Sequence, residues 1–415
     1  MKRIILLVLL LAFVLSPATS AQTPVRLWFA GTPQALMDAM YDEMIPAFHA
    51  ANPDIRLEVE FIPWSDLSTK LATSFAAGVA PDIFMHGQAA IAEFVDSDQL
   101  LPLDEFISDW DGKDDFGATL GSGYYKDATY FVPVFGAGRL LIYRADVFLE
   151  AGLDPDDPPE TWEELLAAAE ALTVKQGNRF IRQGIDFPMD GIDAQQVWAG
   201  FLWQNGGSFL TEDMSAAAFN SPEGVESLEY LVSLIHEHGV SDVRVAQPIG
   251  NVPPIASDIV GMIYEVPGAL AQIQNYSPEI YPEIRVALPT QKVTRDTLYS
   301  FSGFMMSRNT TDKQKAWRVM EYFLSSESLE MINQAMATLP PRVSLANAEF
   351  IAEDPNLQVY VEAMQYGRGN PNHANWVQIR DIISRYLERA LRGTMTAQDA
   401  LDEAAAEVNR LLAER

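Results

Sequence analysis

Polar side chains follow two of the strands that we predict near the start of the chain. Thr32 comes after the first strand, and His86 and Gln88 come after the third. A hydroxyl, an imidazole and an amide can donate and accept hydrogen bonds, and loops at the carboxyl ends of parallel strands are where ligands bind. These residues therefore predict a site that holds a small ligand by hydrogen bonds. For Gln88 an exposed loop is an equally good interpretation.

Motifs for metal or nucleotide chemistry are weak in this sequence. Among the five histidines only His236-Glu237-His238 is clustered, and a spacing of two on a helix turns side chains to different faces. The chain contains neither His-Glu-x-x-His nor cysteine. The stretches Gly121-Ser122-Gly123 and Gly136-Ala137-Gly138 lack the third glycine of a dinucleotide fingerprint. We therefore predict neither a metal nor a cofactor.

Hydrophobic periodicity predicts alternating strands and helices in the first hundred residues. Strands are predicted at 25–29, 55–61 and 82–85, with helices at 33–51 and 65–77 between them. Such alternation is typical of a parallel sheet with helices on both faces. This arrangement would bring Thr32, His86 and Gln88 to one edge of the sheet.

The pattern changes near residue 130. Residues 130–143 form a long apolar run that is interrupted by Pro133, Gly136 and Gly138. A proline and two glycines in a strand-like run indicate a backbone that bends or leaves one sheet for another. We interpret this run as the first crossing between two α/β lobes, because the chain is also too long for one hydrophobic core.

The rest of the chain again alternates and ends in helices. Thr161 is a predicted N-cap, with Glu164 three residues later. Helices are predicted at 161–172, 195–205, 222–238, 312–324, 375–392 and 397–412, and strands at 259–264, 284–289 and 300–307. No repeat of 20 to 50 residues is visible, which argues against a solenoid or a propeller.

The charge narrows the class of partner. Asp and Glu number 57 against 28 Lys and Arg, and the formal net charge is -29 at pH 7. Binding to nucleic acid or to anionic lipid requires clustered cations. We therefore expect no nucleic-acid partner and a ligand that is neutral or locally neutralised. Scattered acids on helix faces also favour solubility.

The first residues resemble a secretory leader. Lys2 and Arg3 precede the apolar run 4–15, and small residues at 16–21 suit cleavage. The run is shorter than the ~20 residues of a spanning helix, although an uncleaved anchor is the alternative. Without cysteine there is no disulfide and no lipid thioether. We predict a signal peptide at 1–21 and a periplasmic protein without a lipid anchor.

Short segments spread over nearly the whole mature chain carry a family resemblance. They lie at 25–32, 64–83, 140–148, 159–165, 202–207, 219–223, 261–264, 339–342 and 375–376. Each segment is weak alone, but their shared order is specific. In this order they resemble the extracellular solute-binding proteins of ABC importers, in particular the carbohydrate-binding group that includes maltose-binding protein.

The resemblance implies an α/β fold of two lobes joined by crossing strands, with a ligand cleft between the lobes. The implied N-terminal lobe comprises 22–136 and 290–341, and the C-terminal lobe comprises 137–289 and 342–415. The implied crossings lie near 135–139, 288–291 and 340–343. Hinge closure of the lobes would bury the ligand.

The same resemblance implies a function. It predicts a monomeric periplasmic receptor, not an enzyme, that captures a carbohydrate or related polyol. The closed receptor would deliver this solute to the transmembrane subunits of an ABC permease.

Aromatic side chains are expected in such a cleft, because the C–H face of a sugar ring stacks on them. Trp376 matches a stacking tryptophan of the family, with a position in the core as the alternative. Trp64 either lines the cleft or staples the helix that follows it, and Trp203, on a predicted helix, has the core as its alternative. Phe304 is also assigned to the ligand site.

Charged residues complete the implied site. Arg139 at the first crossing and Arg342 in an implied hinge can each donate a forked pair of hydrogen bonds to hydroxyls or to an acidic group. Many relatives carry Asn-Gly-Pro-Trp where this chain has Glu265-Val266-Pro267-Gly268. A carboxylate replaces an amide, and the stacking tryptophan is missing. This departure predicts a ligand smaller than a maltodextrin, or one whose hydroxyls or cationic group pair with Glu265.

Two other functions are open to this sequence. Relatives that carry glycerol phosphodiesters make a receptor for a glycerol-phosphate-type solute the main alternative. A secreted glycoside hydrolase is a further alternative, since the chain has many acids, but it needs two carboxyl groups fixed on opposite sides of the scissile bond.

We predict that export removes the leader and releases the protein. Mass spectrometry of the protein from the periplasmic fraction should give an N-terminus near Gln22. Recovery of an intact Met1 in the membrane fraction would contradict this prediction.

Overall fold

The structure, a computed structural model, describes residues 23–244 and 252–414. The predicted signal peptide, 1–21, and its cleavage point lie outside the described residues. In chain order the strands are β1 (Val25–Ala30), β2 (Leu57–Ile62), β3 (Ile83–Gly87), β4 (Tyr124–Tyr125), β5 (Ala128–Thr129), β6 (Phe131–Gly138), β7 (Leu140–Arg144), β8 (Val174–Gln176), β9 (Arg179–Asp186), β10 (Val260–Glu265), β11 (Ile284–Ala287), β12 (Thr297–Met306) and β13 (Gly367–Arg368).

Helices cover both sheets and form most of the C-terminal part. They are α1 (Gln34–Ala39), α2 (Ile45–Ala51), α3 (Trp64–Ala76), α4 (Ile91–Asp96), α5 (Asp104–Ile107), α6 (Ala145–Glu150), α7 (Trp162–Leu172), α8 (Gly191–Gln204), α9 (Pro222–His236), α10 (Gly268–Tyr276), α11 (Lys313–Phe323), α12 (Ser326–Met336), α13 (Glu349–Ala352), α14 (Pro355–Ala363), α15 (Trp376–Leu391) and α16 (Ala397–Ala413). A π-helical turn, Met40–Met44, joins α1 to α2, so the predicted helix at 33–51 is nearly continuous.

The start of α7 shows how local sequence positions an element. The hydroxyl of Thr161 accepts the backbone N–H of Glu164 at 3.2 Å, and the Glu164 carboxylate accepts the N–H of Thr161 at 3.1 Å. This reciprocal pair confirms the predicted capping box. It satisfies N–H groups that a helix start otherwise leaves without partners.

The N-terminal sheet contains the three parallel strands that the sequence predicts. β1 pairs in parallel with β2 on one side and with β3 on the other. β12 pairs antiparallel with both β3 and β6. β6 therefore runs in the same direction as β1, β2 and β3, and all four strands end at one edge of the sheet.

The C-terminal sheet has the order β11-β7-β10-β9-β8. β10 is parallel to β9, whereas β7 is antiparallel to both β10 and β11. The first residue of β7, Leu140, therefore pairs with the last residue of β10, Glu265. The start of β7 and the carboxyl ends of β9, β10 and β11 share one edge.

The two sheets meet at the first crossing. The predicted run 130–143 divides into β6, which ends at Gly138, and β7, which begins at Leu140. Arg139 alone separates the two strands. The crossing therefore joins two sheet edges directly: the edge where the N-terminal strands end and the edge where the C-terminal strands end. A cleft between two lobes requires this connection.

The second crossing lies later than predicted. The backbone N–H of Gln291 donates to Glu160 O at 2.8 Å, and the Thr290 hydroxyl donates to Gln204 at 3.0 Å, so this segment still lies on the C-terminal lobe. The crossing is made by β12 itself: Leu298 packs in a C-terminal core and Met306 in the N-terminal core. After α12 the chain touches the first crossing again, where Leu339 bridges to Gly136.

Each lobe has its own hydrophobic core. The N-terminal core surrounds β1, β3 and the carboxyl half of β12. In the C-terminal lobe one core lies between α7, α8, α9, α15 and α16, and a second lies between β7, β10, α10 and α14. This two-lobed α/β architecture confirms the predicted fold class.

Trp376 and Phe304, like Trp203 below, are predicted ligand residues that belong to these cores. The Trp376 side chain is 1% exposed, and its ring meets that of Phe209 with centroids 5.1 Å apart. Phe304 is fully buried, with its ring against Phe29 and Phe323 in the N-terminal core. The structure corrects the predicted placement of both residues, because apolar side chains enclose the ring faces that stacking on a sugar would need.

Replacement of Trp376 by Ala should destabilise the protein. Loss of a fully buried indole removes apolar contacts and leaves a cavity, for which about 3 to 5 kcal/mol is expected. A thermal melt should show a clearly lower midpoint. The control is Trp64→Ala, since this tryptophan is 40% exposed and its loss should cost less than about 1 kcal/mol. If Trp376→Ala melted at the same temperature as the wild type and bound solute more weakly, Trp376 would belong to the ligand cleft and not to the core.

Candidate ligand-binding cleft

The candidate site consists of two sheet edges that the first crossing joins. The N-terminal edge comprises Thr32, Trp64 and Gln88, which follow β1, β2 and β3, and His86, which lies in β3 itself because this strand continues to Gly87 and not only to the predicted residue 85. The C-terminal edge comprises Arg139 at the crossing, Glu265 at the end of β10 and Asp193 in the first turn of α8. Parallel strands bring these residues together although they are distant in sequence.

Trp64 presents an aromatic surface on the N-terminal edge. Its side chain is 40% exposed, although it begins helix α3. Its ring contacts the His86 ring edge to face, with centroids 6.3 Å apart. Gly31 packs against the Trp64 indole and has a φ of +87°. A Cβ at this position would lie 3.1 Å from the indole nitrogen. Glycine is required at this turn by both its backbone angle and the lack of space.

His86 is a buried, uncharged polar group beside Trp64. Burial, and to a smaller extent the charge of Arg380, lowers the pKa of His86 to about 4, so the ring is neutral at pH 7. The backbone N–H of Gly87 donates to Nδ1 at 2.9 Å, and the neutral ring therefore carries its proton on Nε2. Nε2 lies 3.4 Å from the Ser68 hydroxyl. The imidazole is thus available as a hydrogen-bonding group without charge.

Gln88 and Thr32 complete the N-terminal edge. The side-chain oxygen of Gln88, Oε1, accepts the backbone N–H of Phe301 at 3.3 Å. This hydrogen bond connects the loop after β3 to β12. A Cβ on Gly369 would lie 3.1 Å from the Gln88 amide nitrogen. Gln88 is therefore half-buried and packed, whereas Thr32 is exposed. Both have the predicted strand-end position, and their contact with a ligand stays a prediction.

Arg139 is the centre of the C-terminal edge. Its side chain is 4% exposed, and Nη1 lies 3.3 Å from the carbonyl oxygen of Tyr264 and 3.5 Å from Glu265. Nη2 donates to Asp193 and, at 2.9 Å, to the side-chain oxygen of Gln196. Four groups from two elements thus surround one guanidinium. The predicted fork from Arg139 to a ligand is instead directed at the protein.

The two carboxylates on this edge are more accessible than the cation between them. The side chain of Glu265 is 36% exposed and that of Asp193 is 61% exposed, against 4% for Arg139. Burial raises the pKa of Glu265 above its ordinary value, and the charge of Arg139 offsets part of this effect. The Tyr360 hydroxyl donates to the Glu265 carbonyl at 2.8 Å and fixes the backbone at the end of β10.

Sequence reasoning missed Asp193 and Gln196. Both lie in the first turns of α8, directly after β9. The rule that led to His86, namely a polar residue shortly after a strand, applies to Asp193 as well. Their pairing with Arg139, more than fifty residues earlier, could not be read from local sequence.

Trp203 and Arg342 lie away from the two edges. Trp203 is buried at the end of α8 against Phe209, with the guanidinium of Arg368 5.1 Å from its ring. Arg342 is buried in the N-terminal lobe, where it donates to the Leu324 carbonyl at 2.7 Å and to Asp115 at 3.0 Å. The predicted placement of both residues in the cleft is therefore corrected. The ring and the guanidinium are occupied by protein contacts.

A groove of about 470 Å³ lies elsewhere on the molecule. It is lined by residues of α10, α12 and α14 and by the start of β11, so it is at the opposite edge of the C-terminal sheet from Glu265. Its polar groups are paired with one another: the Tyr281 hydroxyl donates to Asp354, and Arg285 donates to Pro282 O at 2.7 Å. The groove therefore offers a ligand few free hydrogen-bonding groups for its volume.

Over residues 23–244 and 252–414, no group of three or more His, Cys, Asp or Glu side chains is arranged to hold a metal ion. Within the same part of the chain, no helix combines the length and the apolar character needed to span a bilayer.

Solved structures and relatives share this architecture. A solute-binding protein of an ABC transporter from Thermotoga lettingae, bound with α-D-tagatose, superposes with a TM-score of 0.84 at 26% identity, covering 94% of this chain and 99% of that one. The cyclic α-maltosyl-1,6-maltose binding protein of Arthrobacter globiformis gives a TM-score of 0.75 at 29% identity, covering 95% and 100%. The sn-glycerol-3-phosphate-binding periplasmic protein UgpB of Salmonella paratyphi A is 25% identical over 404 residues, 89% of each chain.

The sequence matches the family described as bacterial extracellular solute-binding protein over residues 30–330. This match confirms the resemblance that short ordered segments predict. Since it covers well over half of the chain, the protein belongs to the bacterial extracellular solute-binding protein family.

Proposed function

We propose that this protein is the substrate-binding component of an ABC importer, which captures a carbohydrate or related polyol in the cleft between the two edges. The observation that carries the proposal is the pairing of an exposed indole, Trp64, with a neutral buried imidazole, His86, at the strand ends of the N-terminal lobe. On the other lobe, the accessible carboxylates of Asp193 and Glu265 lie around Arg139, at the edge to which the first crossing leads.

The chemistry of a sugar fits this arrangement. The C–H face of a pyranose or furanose ring is apolar and packs on an aromatic plane. Its hydroxyl groups need both donors and acceptors. Trp64 would supply the plane, the Nε2 proton of His86 would supply a donor where a solute hydroxyl replaces that of Ser68, and the oxygens of Glu265 and Asp193 would supply acceptors. Carboxylates bind hydroxyls strongly because the hydrogen bond is charge-assisted.

Closure of the lobes would complete the site. We assign the N-terminal lobe to 22–136 and 290–341 and the C-terminal lobe to 137–289 and 342–415, except that 290–298 lie on the C-terminal lobe and that Arg342 and Leu345 pack in the N-terminal lobe. Hinged lobes exclude water when they close and thereby strengthen polar contacts to a solute. A permease that recognises only the closed form would receive only loaded receptor.

The cellular setting follows from the family and the leader. We infer a periplasmic, monomeric protein that is released by cleavage of residues 1–21, acts with permease transmembrane subunits and catalyses no reaction. The tagatose complex and the maltosyl-maltose binding protein support a saccharide as the solute. A glycerol-phosphate-type solute is the alternative, which the similarity to UgpB supports.

Replacement of Trp64 by Ala should weaken saccharide binding without loss of folding. A stacking indole in a desolvated site contributes on the order of 2 kcal/mol, or about thirtyfold in affinity. A thermal-shift screen over a carbohydrate library would first identify a solute that raises the melting temperature. Calorimetric titration of the wild type and of Trp64→Ala with that saccharide then measures the loss.

The matched control is Trp28→Ala or Trp110→Ala, in which a buried indole of the same lobe is removed. These variants should melt earlier and, while folded, bind the saccharide nearly as well as the wild type. Equal affinity of the wild type and Trp64→Ala would remove Trp64 from the site. Turnover of a glycoside by the wild type would instead revive the hydrolase alternative.

A further inference from the structure

The guanidinium of Arg139 is already occupied by the protein. Each terminal nitrogen carries two N–H groups, and each has two acceptors: Tyr264 O and Glu265 for Nη1, and Asp193 and Gln196 for Nη2. These contacts direct the positive charge into the C-terminal lobe. An anionic group of a solute would have to displace one of these acceptors to reach it.

The carboxylates around Arg139 leave the C-terminal edge with excess negative charge. Two carboxylates share one guanidinium, so the cluster of Arg139, Asp193 and Glu265 has a formal charge of minus one. The side chains that carry its acceptors are 61% exposed in Asp193 and 36% exposed in Glu265, whereas that of Arg139 is 4% exposed. A solute that enters the cleft therefore meets acceptors and negative charge before it meets a cation.

The N-terminal edge does not compensate this charge. Trp64, Gln88 and Thr32 are neutral side chains, and His86 is neutral at pH 7. The nearest charge acting on His86 is that of Arg380, whose guanidinium donates to Asp381 at 2.8 Å. Glu93 also lies within the influence of Arg380 and Asp381. These three charged groups together contribute a further formal charge of minus one.

We infer that Asp193 and Glu265 determine specificity by excluding anionic solutes, so that the cleft accepts neutral polyhydroxylated molecules and rejects their phosphorylated or acidic forms. This inference rests on the proposed function and narrows it. A phosphate would lose its hydration in the closed cleft and lie beside carboxylates of the same sign. Such like-charge contacts are a common means by which binding sites reject wrong partners.

The opposite end of β7 provides a matched control within the same sheet. Arg144 is also 4% exposed, and it pairs with Asp146 and, at 2.9 Å, with Asp258. Its Nη1 also donates to the carbonyl oxygen of Ile255 at 3.1 Å. This cluster has the same formal charge as the one at Arg139, since two carboxylates share one guanidinium in each, but it lies at the opposite edge of the sheet from the cleft. Its carboxylates should have no influence on the choice of solute.

The test compares neutral saccharides with their phosphorylated forms. Calorimetric titrations would use D-tagatose and D-tagatose 6-phosphate, maltose and maltose 6′-phosphate, and sn-glycerol 3-phosphate, with the wild type, Glu265→Gln, Asp193→Asn and the control Asp146→Asn. Thermal melts establish that each variant is folded. For the wild type we expect phosphorylated forms to bind about 100-fold more weakly than neutral ones, or worse.

The variants separate charge from structure. Glu265→Gln or Asp193→Asn should reduce discrimination against the phosphorylated form by about tenfold, whereas Asp146→Asn should leave it unchanged. Binding of both forms within threefold by the wild type, or unchanged discrimination in both cleft variants, would overturn this inference and leave the proposed saccharide receptor intact. Binding of sn-glycerol 3-phosphate without binding of any saccharide would overturn the proposed function as well.

Discussion

A buried guanidinium at the junction of the two lobes constrains the rest of the cleft. An arginine with 4% of its side chain exposed must have its charge and its N–H groups satisfied by the protein, because an unpaired buried charge is very unfavourable. The terminal nitrogens of Arg139 meet this requirement with groups from the end of β10 and the first turns of α8, whereas its Nε is buried without a hydrogen-bond partner among the described residues. The cation thereby fixes the positions of both carboxylates of the C-terminal edge, and removal of either partner would leave it undercompensated.

The connection between the lobes depends on a strand that belongs to both. The first residues of β12 pack in the C-terminal cores, and its last residues pack in the N-terminal core. Between them the ladder from β12 to β6 shifts register at Ser302 and Gly303. A Cβ on Gly303 would lie 2.2 Å from the carbonyl oxygen of Val132, so the strands approach as closely as glycine permits. An irregular ladder next to a crossing is where a change of backbone angles would be least costly.

The secondary structure of this protein could be predicted from sequence, but whether a given aromatic residue lies in the cleft or in a core could not. Periodicity and capping depend on neighbours within a few residues, and therefore β1, β3 and α7 lie where the pattern places them. An indole, by contrast, suits a sugar face and a hydrophobic core equally well. Trp64 and Trp376 both begin helices near strand or loop ends, yet one is exposed and the other is enclosed by the C-terminal core.

The same limit applies to the arginines. Arg342 follows two prolines in a segment that resembles a hinge, but the carbonyl of Leu324 and the carboxylate of Asp115 take up its donors. Those acceptors are distant in sequence and only the fold brings them near. The positions of Thr32 and Gln88 were more predictable, because a residue directly after a parallel strand reaches the edge of the sheet whatever its partners are. His86 instead lies within β3, which ends two residues later than predicted.

The chemical difference between the two edges would orient a solute in the proposed receptor. The N-terminal edge offers an exposed aromatic face and uncharged polar groups, whereas the C-terminal edge offers exposed carboxylate oxygens around a buried cation. The apolar face of a sugar ring would make its most favourable contact with Trp64, and hydroxyl donors would make their most favourable hydrogen bonds with Glu265 and Asp193. Since Asp193 and Glu265 share one guanidinium, a polyhydroxylated solute would also supply further donors to this cluster when the lobes approach. The solute would then act as the missing set of donors that makes closure favourable.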